Sequence, residues 1–122
     1  MTFRKAAEVD VEKIATLHSV SWQQNYRESF SDHFLDNLAF ENRLIEWKKR
    51  FEHPSDNQFV FIAEEDGEFL GFMCAYFNHD IQYGTLLDNL HVSLNTQGKG
   101  IGTRLIAALA EEIVQRNGEN GF

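Results

Sequence analysis

From Gln97 to Thr103 the chain reads Gln-Gly-Lys-Gly-Ile-Gly-Thr, three glycines at alternate positions between an apolar run and an amphipathic one. A corner of this kind, where a strand hands over to a helix, gathers main-chain N–H groups that the helix cannot bond, and the helix dipole adds positive potential at the same point. Anions settle there, phosphates above all. Glycine serves such a corner twice: it takes positive φ freely, and without a Cβ it lets an anion come up to the backbone. Local charge agrees. The chain carries a net charge of −8, yet no Asp or Glu occurs from Asn89 through Ala110, and Lys99 and Arg104 stand inside that stretch. A single glycine at a turn is most simply there for its shape; three together in an acid-free segment read as an anion site. Two common phosphate loops do not fit. The dinucleotide fingerprint needs a glycine where Thr103 stands, and the nucleotide-hydrolase loop needs Ser or Thr directly after its lysine, where Gly100 follows Lys99.

Other side chains with chemical capacity are sparse. The five histidines are far apart in sequence, with none of the close spacings that favour a metal, so no metal site is expected. His18 and His91 read as packed or surface-paired. The single cysteine, Cys74, lies in an apolar run and reads as buried and inert. No Gly-x-Ser-x-Gly elbow occurs.

The elements that must position the corner follow from periodicity. Thr2 to Lys5 reads as a short strand. Asp10 stands as an N-cap ahead of Val11, Ile14, Ala15, His18 and Trp22 at helical spacing, and Ser31-Asp32 opens a short helix around Phe34, Leu35 and Leu38. Phe40, Leu44, Trp47 and Phe51 mark a third helix that ends at His53-Pro54, with Glu46 and Arg50 as an i,i+4 pair on its other face. Gln58 to Glu65 and Glu68 to Phe77 flank Asp66-Gly67 as a hairpin. Asn78 to Gln82 reads as a loop, Tyr83 to Val92 as a further strand, and Ser93 to Gln97 as a polar connection. The last helix carries Ile101, Leu105, Leu109 and Ile113 on one stripe, with Asn117-Gly118 as its stop. This order, without repeats or linkers, predicts one α/β domain over residues 1–122.

Composition narrows the classes. A chain of 122 residues with 43% hydrophobic and 25% charged residues and one proline has the profile of a packed domain. Its apolar runs are far shorter than the ~20 residues of a membrane span. The acidic balance disfavours nucleic acid. The N-terminal residues Met1 to Lys5 show no export signal, and the unpaired cysteine fits a reducing compartment, so a cytoplasmic location is expected.

Gln97 to Gly102 also satisfies Gln/Arg-x-x-Gly-x-Gly, preceded by Leu90-His91-Val92 on a strand, and so resembles the acetyl-CoA signature of the GCN5-related N-acetyltransferase (GNAT) superfamily. Ser21-Trp22 with Tyr26, then Phe34-Leu35, Leu38, Arg43 and Trp47, resemble the N-terminal helices of many of these enzymes, and the likeness spans roughly residues 2 to 117. The resemblance implies a mixed, mostly antiparallel sheet flanked by helices. It implies acetyl-CoA as co-substrate without a metal, its pantetheine arm held by the backbone of Leu90, His91 and Val92. The pyrophosphate would rest on the N–H groups of Gln97, Gly98, Lys99, Gly100, Gly102 and Thr103. The acceptor would be a primary amine of a small molecule or peptide, in a pocket walled by Trp22 and Tyr26. Many relatives carry a glutamate base where Leu86 stands here; provided no bulge shifts the register, simple alternation puts Asp88 on the same side of the strand, which makes it the candidate catalytic base, and turns His91 the other way.

The family pattern continues past this helix with another strand, a helix and a closing hairpin, and these are lacking here. Their lack leaves the strand ending at Val92 as a sheet edge, which predicts a homodimer; the alternative is that the sequence is a fragment of a longer enzyme. Two functions stay open from sequence: an N-acetyltransferase, or a catalytically incompetent module that binds acyl-CoA or merely dimerises.

Overall fold

The computed structural model describes residues 1–80, 84–96 and 98–119. The chain divides into two compact units, one of Met1–Lys5 with Asn57–Phe122 and one of Ala6–Asp56.

The first unit is built on a four-stranded sheet of β1 (Thr2–Lys5), β2 (Gln58–Glu65), β3 (Glu68–Asp80) and β4 (Gly84–Val92), in that order. Every pairing among the described residues is antiparallel. Asp66 and Gly67 join β2 to β3 with φ of +52° and +81°. Positive φ at both central residues matches the natural twist of a two-residue hairpin, and Asp-Gly is a favoured pair for it. Asp80 still pairs with Gly84, so β3 runs three residues beyond the sequence reading, through the segment read as a loop. Asn78 makes this possible by taking φ +50°, which asparagine tolerates better than most residues. Ile81 to Tyr83, the rest of that loop and the expected start of the next strand, lie outside the described residues.

One face of this sheet carries α4 (Ile101–Glu119). Ile101, Leu105 and Leu109 bury their stripe on Phe59, Ala63, Leu70, Met73, Ala75 and Phe77. Each such aliphatic side chain contributes roughly 2 kcal/mol of transfer free energy. Arg116 lies 4.0 Å from the Phe77 ring centroid while pairing with Glu112 at 3.1 Å, which fastens the distal turns of the helix. The helix continues through Asn117-Gly118, which sequence reads as its stop. An interior glycine weakens a helix by about 1 kcal/mol relative to alanine but leaves its N–H in the ladder, so it does not end one as proline does.

The second unit holds α1 (Val11–Asn25), α2 (Asp32–Asn37) and α3 (Ala39–Glu52), with α1 packed on α3. Trp47 is fully buried, and its Nε1–H donates to Nδ1 of the buried His18 at 3.0 Å. Ser31 caps α2 by accepting from the Phe34 N–H at 3.2 Å, as its position suggests. Asp10 behaves differently: its carboxylate accepts from the Ala7 N–H at 2.7 Å and so closes the 3₁₀ turn Glu8–Asp10 instead of capping α1 with its side chain. Glu46 and Arg50 pair at 3.0 Å, and α3 stops before Pro54.

Candidate functional site

The corner between β4 and α4 is assembled from short backbone links. Ser93 N–H donates to Leu70 O at 2.8 Å, tying the end of β4 to β3. Leu94–Thr96 then form a 3₁₀ turn, in which both the N–H and the Oγ1 of the buried Thr96 bond to Ser93 O at 3.0 Å. Lys99 N–H reaches back to Thr96 O at 3.3 Å. Thr96 is therefore the anchor of the corner, which its sequence position, in a polar connection, does not reveal. Gln97 lies outside the described residues.

Gly98 and Gly100 take φ of +90° and +74°, and nothing lies within 4 Å of where a Cβ would stand on either. These two positions need glycine for their backbone angle and open onto clear space. The first helical bond of α4 runs from Arg104 N–H to Gly100 O at 3.0 Å. The amides of Ile101, Gly102 and Thr103 precede it and have no carbonyl one turn behind them within the helix. At Gly102 a Cβ would make only ordinary contact with the Leu90 and Val92 side chains at 3.8 Å, so neither packing nor backbone angle requires glycine there. Lys99 is exposed. Arg104 is drawn aside, its guanidinium 5.3 Å from the Phe3 ring centroid and 3.6 Å from the Met1 sulfur.

β4 approaches the corner with a break in register. Cys74 pairs with Asn89 and Ala75 with Leu87, which leaves Asp88 as an extra residue, a β-bulge. Leu90 and Leu87 face the same side as Met73 and Ala75, toward α4, whereas Leu86, Asn89 and His91 share the side of Tyr76, Cys74 and Phe72. Simple alternation therefore fails at Asp88, and His91 shares the face of Leu86 instead of opposing it. A single inserted residue reverses the phase of every later side chain. Asp88 is exposed and accepts from the Asn89 amide at 2.7 Å. His91 lies tilted against Phe72 with ring centroids 5.3 Å apart, and its Nε2 stands 3.3 Å from Asn89 Oδ1; burial pushes its imidazole below the usual histidine range.

The other two candidate residues belong to the helical unit. Trp22, in the last turn of α1, and Tyr26, the residue that caps its C-terminus, are joined through a ring that sequence spacing does not connect to them: Phe30 stacks on Trp22 at 5.0 Å with an interplanar angle of 25° and meets Tyr26 edgewise at 6.5 Å. Phe34 extends the cluster, 5.3 Å from Phe30. Arg43 lies over Trp22 at 4.2 Å, and burial lowers the pKa of its guanidinium.

The sequence profile of the acetyltransferase (GNAT) family matches residues 11–121. A search of curated proteins returns no match. Among solved structures, a Staphylococcus aureus protein described as a GNAT family acetyltransferase superposes with a TM-score of 0.70 at 21% identity, over 96% of this chain and 94% of that one. The PaiA N-acetyltransferase of Thermoplasma acidophilum, solved in complex with coenzyme A, superposes with a TM-score of 0.68 at 20% identity, over 96% of this chain and 73% of that one. The ribosomal-protein-alanine N-acetyltransferase of Brucella melitensis biovar Abortus 2308 gives 0.69 at 20% identity, over 96% and 74%. At these identities the structural likeness is one of fold. The profile match over nearly the whole length adds the family: this chain is a member of the GNAT acetyltransferases.

Proposed function

We propose that residues 1–122 act as one acetyltransferase domain that uses acetyl-CoA to acetylate a primary amine of a small molecule or peptide. The observation that carries this reading is the corner at Gly98–Thr103, where two positive-φ glycines open onto clear space and the leading amides of α4 have no carbonyl one turn behind them, in an acid-free segment. That arrangement suits the pyrophosphate of a CoA molecule, and the coenzyme A bound in the Thermoplasma relative supports the choice. The amides of Gly98, Lys99, Gly100, Gly102 and Thr103, with Gln97, would hold the pyrophosphate, and the Leu90, His91 and Val92 backbone would hold the pantetheine arm.

Acetyl-CoA supplies the acetyl group and the thiol that leaves. The neutral amine nitrogen bonds to the thioester carbonyl carbon, the C–S bond breaks, the thiolate departs with its electron pair, and the proton the nitrogen then sheds neutralises it as the thiol. A main-chain N–H near Leu90 would donate to the carbonyl oxygen as charge develops there. Asp88, the one carboxylate of β4, would accept the proton that the ammonium form must lose before it can attack; the bulge takes away its alignment with Leu86, so its claim rests on its charge and exposure alone. Trp22 and Tyr26 would line the acceptor side. We further propose a cytoplasmic homodimer, because β4 is the last strand of the sheet among the described residues and presents Leu86 and Leu87, 38% and 39% exposed.

Calorimetric titration with CoA, followed by thiol release from acetyl-CoA across a panel of amines, tests the reading. Saturable CoA binding and amine-dependent thiol release are expected. Absence of CoA binding overturns it; binding with no thiol release for any amine leaves a binding module instead of an enzyme.

A further inference from the structure

Ser93 is held on both sides of its backbone. Its N–H donates to Leu70 O at 2.8 Å, and its carbonyl accepts twice from Thr96, from the N–H and from Oγ1, each at 3.0 Å. The Thr96 carbonyl in turn accepts from Lys99 N–H at 3.3 Å, the longest of these links. Gly98 stands at the third position of that return with φ +90°, the angle glycine supplies there. A line of hydrogen bonds therefore runs from β3 through Ser93 and Thr96 to the glycines, and the Thr96 hydroxyl is where a side chain enters it.

That hydroxyl repeats a bond that the N–H of the same residue already makes. Valine has the same branched shape, and with it Ser93 O would keep the residue 96 N–H as donor, so no buried group would be orphaned. Stability alone does not call for threonine. What the second bond adds is restraint. Leu94 is 55% exposed and Asn95 is exposed too, so two of the three residues in the 3₁₀ turn are not packed down. Short 3₁₀ turns have poor hydrogen-bond geometry of their own. Thr96, 7% exposed, is the buried residue of this one, and its Oγ1 bond ties the side chain back to the carbonyl that opens the turn. With both bonds made, the peptide that receives Lys99 cannot tip without breaking one of them.

On the reading of this corner as the CoA pyrophosphate site, we propose that Thr96 is a positioning residue whose hydroxyl sets how tightly the cofactor is held. Buried beneath the corner, it acts through Lys99 and the glycine backbone, keeping the amides there in one arrangement before the anion arrives. Hydrogen bonds from N–H to charged oxygen are short and directional, and donors ordered in advance spare the cost of ordering them on binding.

The test compares the whole native chain with Thr96→Val and Thr96→Ser. In calorimetric titration Thr96→Val is expected to weaken CoA about fivefold, the worth of one neutral hydrogen bond, and Thr96→Ser to stay within about twofold of native. Thr96→Ala, which also lacks the hydroxyl, should lose at least as much as Thr96→Val. In amine-dependent thiol release the valine variant raises KM for acetyl-CoA by the same factor and leaves kcat at saturation and KM for the amine in place. A merely structural role would shrink the active fraction instead, lowering kcat with KM unchanged. That pattern overturns the proposal, as does equal CoA affinity in all chains or an equal loss in the valine and serine variants. Amide hydrogen exchange at Lys99, followed by NMR without ligand, separates this failure from failure of the CoA reading. Exchange is expected to quicken about fivefold in Thr96→Val and to stay native in Thr96→Ser. Unchanged exchange in Thr96→Val overturns the proposal whatever the affinity. A native chain that binds no CoA while its variants show the exchange change overturns the CoA reading and keeps Thr96 as the residue that sets the corner.

Discussion

Gly98 and Gly100 are separated by one residue and both hold positive φ with nothing packed against them. Alanine at either position meets no neighbour, so its effect is purely conformational, of the order of 1–2 kcal/mol for a left-handed residue with a Cβ. Relief of that strain turns the amides away from the corner. Gly100→Ala is therefore expected to weaken CoA binding by about tenfold or more in a calorimetric titration while thermal unfolding moves by only a few degrees. Asp88 makes a second test. If it takes the amine proton, Asp88→Asn lowers kcat by roughly 10²–10⁴ and leaves CoA affinity in place; unchanged kcat excludes it. His91 makes a third, through pH. Its folded pKa lies below the ordinary 6.5 because burial disfavours the cation. The unfolded chain then binds the proton more readily, so this group's contribution is intact above that ordinary value and is lost as pH falls toward the folded one. Urea midpoints taken near pH 7.5 and near pH 5 should fall further in the native chain than in His91→Gln; an equal fall in both would assign the acid sensitivity elsewhere.

At the scale of elements, the close meeting of β3 and β4 fixes where the corner sits. A Cβ on Gly71 would lie 2.8 Å from His91 O and 3.2 Å from Val92 Cα, both backbone atoms that cannot swing aside. Gly71→Ala must push the end of β4 away from β3 and strain the Ser93–Leu70 bond beside it. A destabilisation of about 1–3 kcal/mol in chemical denaturation is expected, with a fall in CoA affinity because the corner begins one residue after β4; native stability in this variant would mean the strands have slack. The same region marks the limit of what sequence makes legible. The order of strands and helices, the Asp66-Gly67 turn, the buried Cys74 and the glycine corner follow from period and residue type, because those features act within a few residues of one another, whereas the ends of β3 and α4 run past their expected stops. The Asp88 bulge does not follow from them. It is set by which β3 residues β4 opposes, a non-local quantity, and one extra residue was enough to reverse the predicted facing of His91. Phe30 escaped for a related reason: it lies beyond the end of α1, where helical spacing no longer says which ring it will touch. Thr96 looked like linker because a buried threonine that bonds only backbone three residues away has no pattern of its own.

For the whole molecule the question is association, where apolar edge and net charge act in opposite directions. β4 ends the sheet among the described residues with Leu86 and Leu87 partly exposed on its two faces, which favours strand pairing with a second copy. Each copy carries −8, and two such charges repel at long range. The repulsion is screened as the Debye length falls from about 30 Å at 0.01 M salt to about 8 Å at 0.15 M, whereas burial of leucine is not. Dimerisation through β4 should therefore strengthen with salt. Light scattering behind gel filtration is expected to move toward twice 14.1 kDa as salt rises over that range. Leu86→Glu with Leu87→Lys should hold the chain at 14.1 kDa at either salt, since these changes put desolvated charge at the junction without altering net charge by more than one sign pair. A dimer that weakens with salt would point instead to a junction made of ion pairs, formed by some other surface, and a double variant that still dimerises would show that β4 is not where the copies meet.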